Sequence, residues 1–153
     1  MRIICCGTPF RADDAAGFLV AERLQQLGIE ARMCVGDGTD LLQAREGAEE
    51  VLLVNAVLSG ARAGTIYEWH NCAQFQLNCA SSHALGVAEG IALARALGRL
   101  PERLHIYSIE AKTFEIRDET SVEIMRAADE LARRIADFFR AVPGNSNHGV
   151  PPR

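Results

Sequence analysis

No segment of the sequence approaches the roughly 18 to 20 consecutive apolar residues of a membrane-spanning helix. The short apolar run in MRIICCGTPF also falls well below a signal-peptide core. The expectation is a cytoplasmic chain with no membrane partner. An excess of positive charge is lacking as well: the formal net charge is -4, and the sixteen Lys and Arg are scattered. That argues against nucleic acid as a partner, because phosphate recognition wants a basic patch. The five cysteines include no CxxC pair. An odd, unpaired set suits reduced thiols better than a disulfide framework. Cys72 and Cys79, even with His70 and His83 nearby, match no zinc spacing. CCGTPFRADDAAG holds Gly7 and Gly17 but not the GxGxxG that lets backbone approach a pyrophosphate, and there is neither a Walker loop nor a GxSxG elbow. Cys5 and Cys6 lie inside an apolar run with no sequence-evident base, which disfavours a cysteine nucleophile. No internal repeat is present.

What is there is a chain of 153 residues, 48% hydrophobic and 24% charged, enough for one core without disulfide staples. We expect one domain over residues 1–142 and a flexible tail over 143–153, where Pro, Gly and Asn replace any apolar period. RIICCG is an apolar run too short for a helix and suited to a strand buried on both faces. DDAAGFLVAERLQQLG follows with helical spacing and stops at Gly28. IEARMCV, VLLVNA, GTIYEWH and RLHIYSIE read as strands. LLQAREGA reads as a short helix, SSHALGVAEGIALARALGR as a helix capped by Ser81 or Ser82, and SVEIMRAADELARRIADFFRAV as a long final helix. The alternation predicts an α/β fold, a three-layer sandwich with a twisted, largely parallel (mixed) sheet and helices on both faces.

In such sheets ligands bind beyond the carboxyl ends of the strands. That edge would collect Asp14 after the first strand, Asn55 at the end of VLLVNA, Glu110 at the end of RLHIYSIE, and His83 at the start of a helix. Oxygen and nitrogen donors of this kind suit a divalent transition metal. Plainer roles stand beside that one. Asp13 and Asp14 fit helix-dipole and capping chemistry, His83 fits a solvent-facing first turn, and Asn55 fits a turn former bonded to backbone.

These residues carry a resemblance to the hydrogenase maturation endopeptidases, which trim the C-terminal extension from the large subunit of nickel-iron hydrogenases. It extends from Met1 to about Arg140. The family's first loop and acidic pair are matched by CGTPFRADDAAGF, its second turn by GDGTDLL, its histidine setting by SSHALGV and its last strand end by SIEAKTFE. The resemblance implies an aspartic-type endopeptidase (a hydrolase) that serves as a hydrogenase activator. The partner it implies is the hydrogenase large-subunit precursor, and the metal is nickel already loaded into that substrate. The family's metal-binding acid falls on Asp14, its histidine on His83 and its second carboxylate on position 55, with Asp14 and His83 in the catalytic roles.

Two departures fall at the site. Thr8-Pro9-Phe10 stands where the family has a Gly-Asn pair, which restricts the backbone there. Position 55 is Asn, which keeps an amide oxygen and loses a charge, so affinity for a divalent cation should fall. Glu110 or Asp37 is an auxiliary carboxylate if either reaches the same edge. Two readings follow: an active nickel-directed endopeptidase, and a non-catalytic relative that binds a precursor or another partner without cutting. A monomer is among the assemblies the sequence leaves open.

Overall fold

The computed structural model describes residues 1–8, 12–35, 43, 47–69, 85–115 and 119–144. Five strands form one sheet: β1 (Arg2–Gly7), β2 (Arg32–Val35), β3 (Glu50–Val57), β4 (Ile66–Trp69) and β5 (Arg103–Glu110). Their order is β2-β1-β3-β5-β4. The first three pairings are parallel, and β4 runs antiparallel to β5 at the edge. The expected mixed α/β sheet is borne out, and the apolar runs of RIICCG and VLLVNA fall on two of its three interior strands, β1 and β3. β3 is buried at every position, as a strand covered on both faces must be.

The three helices among the described residues are α1 (Ala16–Gln26), α2 (Leu85–Ala96) and α3 (Val122–Ala141). Successive side chains of a strand point to opposite faces, so each central strand feeds two cores. Ile3, Cys5, Leu52, Val54 and Ile109 pack with α1 and α3 on one face. Ile4, Cys6, Leu53, Val57 and Ile106 pack with Ile91 of α2 on the other. α3 buries Ile124, Ala128, Leu131 and Ile135 along a single stripe at helical spacing. Each fully buried Leu or Ile of this kind contributes roughly 1.5–3 kcal/mol. α1 lies close against β1 because residue 17 is Gly, where any Cβ would collide with the Cys6 carbonyl oxygen. No helix among the described residues is long and apolar enough to cross a membrane. Most of LLQAREGA, the Ser81 and Ser82 caps and the tail beyond 144 lie outside the described residues.

At the amino edge of the sheet, Glu50 is 8% exposed and accepts from His105 Nε2 at 2.9 Å, with Arg103 Nε at 3.4 Å. Burial pushes the Glu50 carboxyl up, but the His105 hydrogen bond and the Arg103 charge outweigh it and hold the group below its ordinary 4.5. A depressed carboxyl stabilises the fold above its unfolded value, and that contribution is lost as pH falls through the folded value. Glu50→Gln should therefore be less stable than wild type in urea at pH 7, with the gap closing below about pH 4.5. A gap that stays constant down to pH 3 would contradict this.

Candidate active site at the carboxyl edge

The first loop turns back on itself directly after β1. Thr8 N–H donates to the Asp14 carbonyl at 3.1 Å, and a Cβ on Gly7 would stand 2.6 Å from that same oxygen, so only glycine fits. The two acids sit in a 3-10 turn, Ala12–Ala15, and not at the start of α1. The N-cap of α1 is Ala15, with no side-chain cap. This corrects the capping reading of Asp13. Its fully buried carboxylate accepts from Lys112 N at 2.7 Å, Thr113 N at 3.3 Å, Ser121 N at 2.8 Å and Ser121 Oγ at 3.1 Å. Thr120 Oγ1 also donates to the Ala12 carbonyl at 3.1 Å, where Ala12 holds φ at 47°. Asp13 thus ties the first loop to the β5–α3 connection, and its neighbour Asp14, 8% exposed, is held at the edge. The 3-10 turn packs against β3.

Asn55 does not end its strand. β3 runs on to Val57, and Asn55 pairs in register with Ser108 of β5. The turn-former reading of Asn55 is therefore corrected: the residue is 2% exposed, and its Oδ1 accepts from Ser108 Oγ at 2.6 Å. Ser108 Oγ in turn accepts from Trp69 Nε1 at 2.9 Å. Among the described residues, Asn55 Nδ2 meets the Ala56 carbonyl alone, at 3.4 Å. By pleat, Asn55 lies on the face of Leu53 and Val57, the α2 side of the sheet.

Glu110, the auxiliary carboxylate expected from the sequence, is fully buried with both oxygens engaged. Oε1 accepts from Ser59 N at 2.8 Å and Gly60 N at 3.1 Å, and Oε2 accepts from Ser59 Oγ at 2.8 Å and Tyr67 Oη at 3.0 Å. These bonds hold the turn that follows β3. Tyr67 and Trp69 stack at 5.3 Å between centroids and deliver their polar ends to Glu110 and Ser108, which are likewise two residues apart on one face. His83 and Asp37 lie outside the described residues, as do His70, Cys72 and Cys79. Among the described residues no group of three His, Cys, Asp or Glu is placed to hold a metal. Cys5, Cys6 and Cys34 are buried thiols that form no disulfide among the described residues, as expected. Burial pushes Cys5 up to about 12, which leaves it a protonated thiol at neutral pH and unfit as a nucleophile.

Sequence reasoning missed Asp13, Ser108 and Trp69. The available signal was a hydroxyl inside the strand-like RLHIYSIE, but its partner on β3 depends on register.

A family model described as hydrogenase maturation protease matches residues 19–138. The chain belongs to the hydrogenase maturation protease family. It is similar to the [NiFe] hydrogenase maturation protease HybD from Thermococcus kodakarensis, with 27% identity over 90% of this chain and 98% of that one and a TM-score of 0.72. The hydrogenase maturating endopeptidase HybD from E. coli shares the fold at 20% identity, over 92% and 93% of the two chains, with a TM-score of 0.76. The [NiFe] hydrogenase maturation protease HycI from Thermococcus kodakarensis does so at 22% identity, over 91% and 92%, with a TM-score of 0.66. No curated protein matches the sequence. Within the hydrogenase maturation protease family, the fold expected of this chain and its protease class both stand.

Proposed function

We propose that this chain is the endopeptidase that removes the C-terminal extension of a nickel-loaded nickel-iron hydrogenase large-subunit precursor. The observation that carries this reading is the family match over residues 19–138. It is supported by the position of Asp14 and Asn55 at the carboxyl edge, on elements that pack together and where open α/β sheets bind ligands. Nickel belongs to the substrate. Asp14 supplies an anionic oxygen to it, His83 an imidazole nitrogen, and Asn55 lines the site beside them. A water attacks the scissile carbonyl carbon, the C–N bond breaks, and the new amine takes a proton. The substrate's metal lowers that barrier by polarising the water or the carbonyl. Glu110 serves the Ser59–Gly60 turn and not the metal. The work is that of an aspartic-type endopeptidase activating a hydrogenase in the cytoplasm, with the chain acting as a monomer.

The test is purified protein mixed with nickel-loaded and nickel-free precursor, followed by intact mass spectrometry. Release of the extension from the loaded precursor alone is the expected result. If the loaded precursor binds and keeps its extension, the endopeptidase reading fails and the non-catalytic binder takes its place.

A further inference from the structure

Asn55 is the point at which this chain's site differs most in chemistry from a two-carboxylate metal site, and its hydrogen bonds say how. An indole N–H can only donate, so Trp69 Nε1 uses a lone pair of Ser108 Oγ at 2.9 Å. The Ser108 hydroxyl proton then points onward, to Asn55 Oδ1 at 2.6 Å. In this relay the hydroxyl donates and the amide oxygen accepts, so Oδ1 is the end that meets Ser108. Oδ1 faces β5, where Ser108 lies directly opposite Asn55 in the parallel ladder.

The nitrogen end faces the other way. The Val57 carbonyl accepts from Ala111 N at 2.7 Å on the β5 side. Successive carbonyls of a strand alternate in direction, so the Ala56 carbonyl is turned to the β1 side. Asn55 Nδ2 lies 3.4 Å from that oxygen, too long for more than a weak bond. The amide therefore shows its NH2 group toward β1 and the turn that carries Asp14, in a position only 2% exposed. A buried donor with a single poor acceptor among the described residues is costly to leave unmet. Aspartate at this position would accept from Ser108 with one oxygen and offer the second to a cation. Asparagine has one oxygen, and it is directed to Ser108 on the β5 side.

We infer that Asn55 acts as a hydrogen-bond donor to a carbonyl oxygen of the precursor segment and not as a ligand to its nickel, with Ser108 and Trp69 as the positioning residues that set the amide's orientation. This rests on the endopeptidase reading for the identity of the substrate, while the orientation itself does not. It turns position 55 from a weakened ligand into an element that recognises the peptide. A donor aimed at a carbonyl also gains strength as negative charge develops on that oxygen. The sign of the effect of an aspartate is reversed: Asn55→Asp removes the side-chain NH2 and sets a second negative charge against the carbonyl.

Two measurements test this. Neutron diffraction from a crystal of the full chain exchanged into D2O assigns the two ends of the Asn55 amide without reference to activity. Deuterium on the end facing away from Ser108 is expected, and deuterium on the end facing Ser108 overturns the inference. On nickel-loaded precursor, Asn55→Asp should lower kcat/KM by about tenfold or more, the order lost with one transition-state donor. Ser108→Thr, which keeps the hydroxyl, should stay within about twofold of wild type, and Ser108→Ala should lose about three- to tenfold through the freed amide, a loss of about 1 kcal/mol on the tenfold-per-1.4 kcal/mol scale. An Asn55→Asp variant that cuts as fast as wild type or faster overturns the inference. A wild type that cuts no precursor sinks the endopeptidase reading, and the neutron result still decides the orientation.

Discussion

Asp13→Ala is expected to lower stability by about 3–5 kcal/mol, the range for removing one partner from a buried, charge-assisted network. The carboxylate is fully buried and accepts three backbone N–H groups and one hydroxyl from Lys112, Thr113 and Ser121. Its loss strands those donors at the start of α3 and frees the first loop from the β5–α3 connection. Asp13→Asn should do little better, because its NH2 must confront a donor at whichever oxygen position it takes. Urea unfolding followed by the fluorescence of the single tryptophan measures the loss. A drop below about 1 kcal/mol, the net worth of one ordinary hydrogen bond, would show that the loop is held by other means.

Asp14→Ala should fail in a different way, with kcat/KM on nickel-loaded precursor reduced by about 10³-fold. Asp14 enters the loop's architecture through its backbone carbonyl, which accepts Thr8 N–H and which any side chain would retain. In the proposed function its side chain supplies an anionic oxygen to the substrate's divalent metal, where such oxygens provide much of the attraction. Asp14→Asn keeps the shape and should lose about 10²-fold, since an amide oxygen is neutral. Cutting by Asp14→Ala at more than about a tenth of the wild-type rate would remove Asp14 from the proposed machinery. A large shift of its urea midpoint would instead assign it a role like that of Asp13.

Much of the architecture was legible in advance because it rests on local pattern. RIICCG and RLHIYSIE coincide with β1 and β5, and SVEIMRAADELARRIADFFRAV contains α3. A strand covered on both faces must read as an unbroken apolar run, and a surface helix must repeat its apolar residues every three or four positions. Asn55 was legible as a polar residue near the edge but was placed at a strand end, because a run of apolar residues broken by Asn reads as stopping there. The strand continues because Ala56 and Val57 still pair with Ile109 and Glu110 of β5.

The sequence by itself determined the α/β class, the central strands, the final helix and the edge at which Asp14 and Asn55 would be found. Only the tertiary structure decided that Asp13 is an anchor, that Glu110 holds a turn, and that Asn55 turns its oxygen to Ser108 and its nitrogen to the Ala56 carbonyl. The reason is distance along the chain. Asp13 meets Ser121, Ser59 meets Glu110 and Asn55 meets Ser108 across many tens of residues, through the strand order and register of the sheet. Periodicity reports which face a residue takes, whereas the partner it meets on that face is set by how separate elements pair.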